Sequence, residues 1–290
     1  MKLTLTTPSL LLLSSAHQAL AWGTLGHETV AFIAQNFVAA DTKVFLSSIL
    51  QDTSTEYLAK VATWADSFRY TKAGKFSEPF HFIDAEDNPP DSCSVTYSRD
   101  CGKSGCVVGA IQNYTTQLLD SSLDKGTINM AAKKQFVGDI HQPLHDEALD
   151  RGGNSIAVLF GGVATNLHHI WDTNMPEKLV GGYTLADAER WAATLTTEIN
   201  TGAFKDQAAS WLEGIDITDP VTTSLGWASQ TNQFVCTTVL PNGKEGVENQ
   251  ELSGSYYEAA VPVIQLQIAR AGYRLAKWLD LITVGVRTEL

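Results

Sequence analysis

The chain has seven histidines, and all but His17 fall in four short strings: GTLGHE, PFHFIDAED, GDIHQPLHDE and NLHHIWD. Every string also carries carboxylates close to its histidines. Imidazole nitrogens and carboxylate oxygens are the ligands of hydrolytic zinc sites, and burying several of them together is costly unless a cation or hydrogen bonds compensate. The strings therefore point to metal-assisted hydrolysis. In NLHHIWD, His168 and Asp172 stand four residues apart, so on a helix they project from one face and can share an ion. Asp139 and His145 flank Pro143, a residue that ends or kinks a helix, and a bend there could aim them at neighbouring ions. Taken singly, each pair is equally a hydrogen-bonded helix end. Asp66 precedes Arg69 by one turn in TEYLAKVATWADSFRY, where a surface ion pair is the simpler reading. His81 alternates with Phe80 and Phe82, the surroundings of a core histidine, before the chain runs into acids.

The elements that must position these residues are mostly helices. Apolar residues recur at three- and four-residue intervals at Val30, Ile33, Ala34 and Phe37, and at Leu58, Val61, Ala62, Ala65 and Phe68. The same period predicts helices over Val107 to Leu119, Leu185 to Ile199, and from about Tyr256 to Ile282. One stretch differs. From Ser155 to Phe160 the apolar residues Ile156, Val158 and Phe160 alternate with others and Gly161-Gly162 follows, which predicts a short β-hairpin. The Gly- and Glu-rich segment from Pro241 to Gly254 reads as a surface loop. No linker or internal repeat interrupts the chain, so the expected architecture is one large, mostly α domain.

Residues 1–21 combine a single lysine, an apolar run around Leu10 to Leu13 and the small-x-small ending Ala19-Leu20-Ala21, the pattern of a secretory leader cleaved before Trp22. The expected product is an extracellular domain of residues 22–290 with no membrane span, because the apolar run is shorter than the roughly 20 residues a span needs. The formal charge of −12 argues against a polyanionic partner. Bound dications would reverse that locally. Four cysteines in a secreted chain predict two disulfides, with three possible connectivities. Cys101 and Cys106 flank the turn-forming Gly-Lys-Ser-Gly, which leaves Cys93 with Cys236. Asn113-Tyr114-Thr115 is a glycosylation sequon.

The strings WGTLGHETVA, HFIDAEDNPP, GDIHQPLHDE and NLHHIWDTNMP, with the four cysteines, closely resemble the fungal single-strand-specific zinc nucleases of the S-one and P-one type, and more distantly the zinc phospholipases C. The resemblance runs from Trp22 to the Gly272-Tyr273-Arg274-Leu275-Ala276 helix. It implies a helical fold and three zinc ions. One ion would take Asp66, His81 and Asp139 with a further histidine; the second the amine and carbonyl of Trp22, His27 and the shared Asp139; the third His145, His168 and Asp172. Arg69 matches a phosphate-binding position, Asn174 a substrate-site asparagine, and Phe82 with Asp84 a base-stacking and edge-reading pair. His141 and His169 fall outside the ligand pattern. The implied reaction is in-line attack on a phosphodiester by a water that zinc acidifies and Asp66 orients, with Arg69 offsetting phosphoryl charge and 5′-phosphate products. The expected substrates are single-stranded DNA and RNA and 3′-nucleotides, and a monomer is the default. The alternatives are a phospholipase C-like phosphodiesterase and a non-catalytic binder of zinc or nucleotide.

Two positions depart from the family pattern. Where the pattern has a histidine four residues before Asp139, this chain has Gln135, whose amide oxygen is a poor, neutral zinc ligand. Spacing on a helix would still put Gln135 and Asp139 on one face. A weakened ion and a misassigned splice junction both account for it. The second departure is Arg151, where relatives carry a small apolar residue near the base site.

Overall fold

The computed structural model describes residues 22–134 and 136–288; the expected leader and Gln135 lie outside the described residues. The apolar stripe of Thr24–Phe37 buries Val30, Ile33 and Ala34 against the long C-terminal helix Ser255–Thr288. Gly272 allows that approach, since a Cβ there would meet the Ile33 Cβ at 2.5 Å. Helix Leu185–Asn200 covers the other flank of Thr24–Phe37, starting at a capping box in which Thr184 and Asp187 satisfy each other's backbone N–H groups. Val107–Leu119 packs on Pro220–Phe234, a helix begun by Pro220 and capped by the Asp219 carboxylate. No described helix is long and apolar enough to cross a membrane.

The mostly α expectation holds, and so does the hairpin. Ala157–Phe160 pairs antiparallel with Val163–Asn166 across Gly161-Gly162. Both expected disulfides form, Cys93–Cys236 and Cys101–Cys106.

Three local expectations are corrected. The stripe from Leu58 to Phe68 does not form one helix; the chain makes a 3-10 turn, Ala59–Val61, and a short helix, Trp64–Phe68. Tyr57, Leu58 and Ala59 are all buried, and three successive residues cannot share one helical face. Nor does a continuous helix lead into Asp139. Helix Lys125–Lys133 stops, Lys134 leaves the helical region (φ −96°, ψ 72°), and Asp139 opens a separate 3-10 turn, Asp139–His141. The cause is visible at Lys134, whose ammonium turns inward to donate to the Tyr114 hydroxyl at 2.9 Å and lies over the rings of Tyr114, Phe68 and Phe76. The expectation that Gln135 shares a helical face with Asp139 falls on a residue outside the described residues. Finally, the Pro241 to Gly254 segment is more than a surface loop, because Val247 and Leu252 are buried and Leu159 exchanges backbone hydrogen bonds with Gln250 and Leu252.

Candidate metal centre and substrate cleft

His81 ends the 3-10 helix Lys75–His81, and the extended segment 82–86 follows: His81, Ile83 and Ala85 are buried, whereas Phe82, Asp84 and Glu86 face a cleft of ≈ 790 Å³. It lies alongside residues 145–148, with Ile83 N–H donating to the His145 carbonyl and Ala148 N–H to that of Ala85. The period of two thus sends Ile83 and Ala85 inward and Phe82 and Asp84 to the cleft wall, while His81 turns inward from the end of the 3-10 helix.

The inward side meets six other histidine and aspartate ligand candidates. Asp66 is buried, with one oxygen 3.4 Å from His27 Nε2 and the other 3.5 Å from His81 Nδ1. The surface ion-pair reading of Asp66 is thereby excluded. Asp139 Oδ1 lies 3.1 Å from His81 Nδ1 and 3.7 Å from His145 Nδ1. His27, Asp66 and Asp139 present ligand atoms within 4.8 Å of one another, and so do His145, His168 and Asp172. In the second group His168 Nε2 is 3.1 Å from an Asp172 oxygen and 3.1 Å from His145 Nε2. The helical spacing of His168 and Asp172 is kept through a π turn, Ile170–Asn174. Trp22 is fully buried at the edge of this cluster, where Gly23 N–H donates to the Asp172 carbonyl at 2.7 Å.

The donor set can be tested for a cation through its tautomers. A carbonyl only accepts, so His145 Nδ1, 2.6 Å from the His81 carbonyl, carries a proton, as does His168 Nδ1, 2.5 Å from the Gly152 carbonyl. In the neutral rings both Nε2 atoms are then lone pairs, and they face each other beside Asp172. Two imidazole lone pairs and a carboxylate converging at this range suit a divalent ion. His27 Nε2, Asp66 Oδ1 and Asp172 Oδ2 are buried without a hydrogen-bond partner among the described residues, which leaves them free as ligand atoms, and His81 turns its Nδ1 to Asp66 and Asp139. Burial raises the Asp139 carboxyl to about 7 and moves Asp66 the same way, while it lowers His81 to about 4 and His145 well below its ordinary value. A bound dication favours ionised carboxylate and neutral imidazole, the ligand forms.

Several supporting groups were not singled out in the sequence. Gln142, fully buried, donates from Nε2 to Asp172 Oδ1 at 2.6 Å and accepts Leu144 N–H at 2.6 Å. Gly152 supplies the carbonyl that orients His168, and only glycine fits there: φ is +59°, and a Cβ would meet the Leu144 carbonyl oxygen at 2.5 Å. The pair Gly152-Gly153 was the available turn signal; Gln142 had none beyond its place between ligands. His141 is fully buried away from both groups, donating to the Val137 carbonyl and accepting from Arg274. The His169 backbone N–H is capped by Asn166.

The cleft itself is lined by His145 and His168, by Phe82 and Asp84, and by Arg69, Lys75 and Arg151. Arg69 is buried, and it donates to the Tyr70 hydroxyl at 2.9 Å. Partial desolvation, together with Glu86 and Asp100, raises the Asp84 carboxyl. Asn174 does not line this cleft; it follows Asp172 by two residues, and its Oδ1 is buried with no described partner. Asn113 is exposed on its helix, while Thr115 of the same sequon is buried and accepts from Trp278.

Comparison with known proteins agrees with this geometry. The chain is 56% identical over 281 residues to Nuclease S1 of Aspergillus oryzae, covering 95% of this chain and 98% of that protein. It is 49% identical over 261 residues to Nuclease P1 of Penicillium citrinum, covering 89% and 97%. Endonuclease 2 of Arabidopsis thaliana is 34% identical over 286 residues, covering 93% of each. The S1/P1 Nuclease family profile spans residues 22–284, which takes in every histidine of the two clusters and the aromatic and acidic cleft wall. With the motifs in one centre and the match running the length of the described fold, the chain belongs to the S1/P1 nuclease family.

Proposed function

We propose that this chain is a secreted, zinc-dependent endonuclease that cleaves single-stranded DNA and RNA to 5′-phosphate products and also removes the phosphate of 3′-nucleotides. The observation that carries the reading is the shared cavity: His145 and His168 open onto the same cleft as the Phe82 ring and the Asp84 carboxylate. A ligand cluster beside an aromatic wall suits a phosphodiester whose base is unpaired, because stacking on Phe82 requires a base outside a duplex. The named relatives are nucleases, so neither a phospholipase C nor a non-catalytic binder is favoured.

Three zinc ions are assigned. Asp66, His81 and Asp139 would hold one, Trp22, His27 and Asp139 the second, and His145, His168 and Asp172 the third. The assignment needs Trp22 as the mature amino terminus, with residues 1–21 removed as a leader and 22–290 forming one monomeric domain. Zinc supplies Lewis acidity and brings bound water toward a pKa of about 7. Asp66 orients the attacking water and holds its proton. Arg69, buried in the cleft wall, offsets the negative charge gathering on the phosphoryl oxygens. Asp84 reads the base edge, Asn174 is retained as a substrate contact, and Asn113 carries the glycan.

The test is hydrolysis of single-stranded DNA by secreted protein with Trp22 verified as its first residue, beside Gln135→His and with duplex DNA as control. Chelator-sensitive cleavage of the single strand in either protein supports the reading, and cleavage confined to Gln135→His identifies position 135 as the defect. Absence of cleavage in both, with zinc bound, overturns it.

A further inference from the structure

Four successive residues beside the metal cluster have left-handed backbones: Asp150 (φ 49°), Arg151 (φ 61°), Gly152 (φ 59°) and Gly153 (φ 75°). For the two that are not glycine this conformation costs about 1–2 kcal/mol each, and such strain persists where the surroundings over-determine it. Here they do. Lys244 Nζ lies 2.8 Å from the Asp150 carboxylate, Arg151 N–H donates to the Ala148 carbonyl at 2.9 Å, and Asn154 donates from both its backbone and side-chain nitrogens to the Arg151 carbonyl. The next carbonyl along, Gly152, holds His168. The turn therefore fixes Arg151 one residue from a support of the metal cluster.

Arg151 is exposed and lines the cleft with Phe82 and Asp84. Among the described residues no hydrogen bond or ion pair engages its guanidinium. The cleft thus presents an aromatic face, an acceptor-only carboxylate and a donor-only fork. Guanine alone among the bases offers two donors, N1–H and the N2 amine, to a carboxylate and two acceptors, O6 and N7, to a guanidinium. Adenine and cytosine present a single amine to Asp84, and uracil a single imide N–H.

We infer that Arg151 is a specificity-determining residue that, with Asp84, makes this cleft select guanine at the nucleotide whose phosphate is cut. The inference rests on the nuclease reading above. It is tested by measuring kcat/KM for 3′-GMP, 3′-AMP, 3′-CMP and 3′-UMP, and by equilibrium binding of 5′-GMP and 5′-CMP, which needs no turnover. The native protein should prefer guanine over cytosine by about tenfold, the size of one good bidentate base contact. Arg151→Ala and Arg151→Gly should each remove the Arg151 share of that ratio and leave only what Asp84 supports, and the glycine variant suits φ 61° and so keeps the turn. Arg151→Lys should lose it too, because an ammonium cannot make the forked pair.

A guanine-to-cytosine ratio unchanged in all three variants overturns the inference. So does a uniform loss across the four nucleotides in Arg151→Ala with recovery in Arg151→Lys, which is the signature of a phosphate contact. In both cases the hydrolysis itself leaves the nuclease reading standing. If the zinc-loaded native protein hydrolyses no nucleotide and binds neither 5′-monophosphate, both readings fall together.

Discussion

Gln142→Met is the sharpest test of how the centre is held. Gln142 is fully buried, and its amide bridges the Asp172 carboxylate and the Leu144 N–H, both at 2.6 Å. Methionine fills similar volume but makes neither bond. A hydrogen bond to a charged group contributes about 1.5–3 kcal/mol, and an N–H left buried without a partner costs about 1–3 kcal/mol. The expected loss is therefore about 4 kcal/mol, which for a domain of this size lowers Tm by about 10 °C. Asp172 also loses the contact that fixes its orientation, so zinc affinity should fall by about 10–100-fold, as it does when a supporting partner of a ligand is removed. Calorimetry reads the first quantity and titration against a competing chelator, on the folded protein, reads the second. A purely structural glutamine would lower Tm and leave zinc affinity alone. An affinity within about twofold of the native value would refute the positioning argument, whatever happened to Tm.

Other outcomes follow from the same structure. Stripping metal with a chelator should lower Tm by several degrees, because Asp66, Asp139 and Asp172 lose the charge that compensates their burial; an unchanged Tm would separate the cluster from folding. Deleting the Cys93–Cys236 bridge, which closes 143 residues, should cost about 3 kcal/mol more than deleting Cys101–Cys106, which closes 5, as judged by urea midpoints. Thr184→Ala breaks the capping box and should cost about 1 kcal/mol at unchanged m-value, with nucleolytic activity intact. Glu251 accepts from Ser253 and from the hairpin amides of Gly162 and Gly161, which hold its carboxyl down at about 2. Its folded value is below its ordinary 4.5, so its contribution is present above that value and is lost as pH falls toward 2. Amide exchange at Gly161 and Gly162 should thus differ between native protein and Glu251→Gln at pH 6 and converge near pH 2; a gap independent of pH would contradict the assignment.

What was legible in the chain was local. The pairing of Phe82 with Asp84 came from the family resemblance alone, whereas His168 and Asp172 could be paired because four residues make one helical turn. The amphipathic helices Val107–Leu119 and Leu185–Asn200 were readable for the same reason. What was hidden depends on contacts across the fold. Asp66 looked like a surface partner of Arg69, and its burial is imposed by His27 and His81, which are 39 and 15 residues away in sequence. The break after Lys133 follows from an aromatic cage drawn from Phe68, Phe76 and Tyr114, and no local propensity announces it. Gly152 was visible as a turn residue but not as the acceptor that sets the tautomer of His168.

The charge balance shows why a whole-chain sum misleads at such a site. With a formal charge of −12 the molecule should repel a polynucleotide, yet the acids are unevenly placed. Asp66, Asp139 and Asp172 are each 1–2% exposed, so without a partner their charges would be suppressed by burial, as the raised Asp66 and Asp139 carboxyls indicate. With dications seated among them, they become ligands of a net positive centre that opens on a cleft already holding Arg69, Lys75 and Arg151. The cleft wall also carries Glu78, Asp84, Glu86 and Glu147, and the negative charge beyond the cleft is screened over about 8–10 Å at physiological salt. A phosphate in the cleft therefore meets the local field first. Raising ionic strength should then weaken binding through the few cleft cations alone, giving a shallow salt dependence for a nucleic-acid enzyme. A steep slope, corresponding to six or more released counterions, would require a basic track outside the cleft.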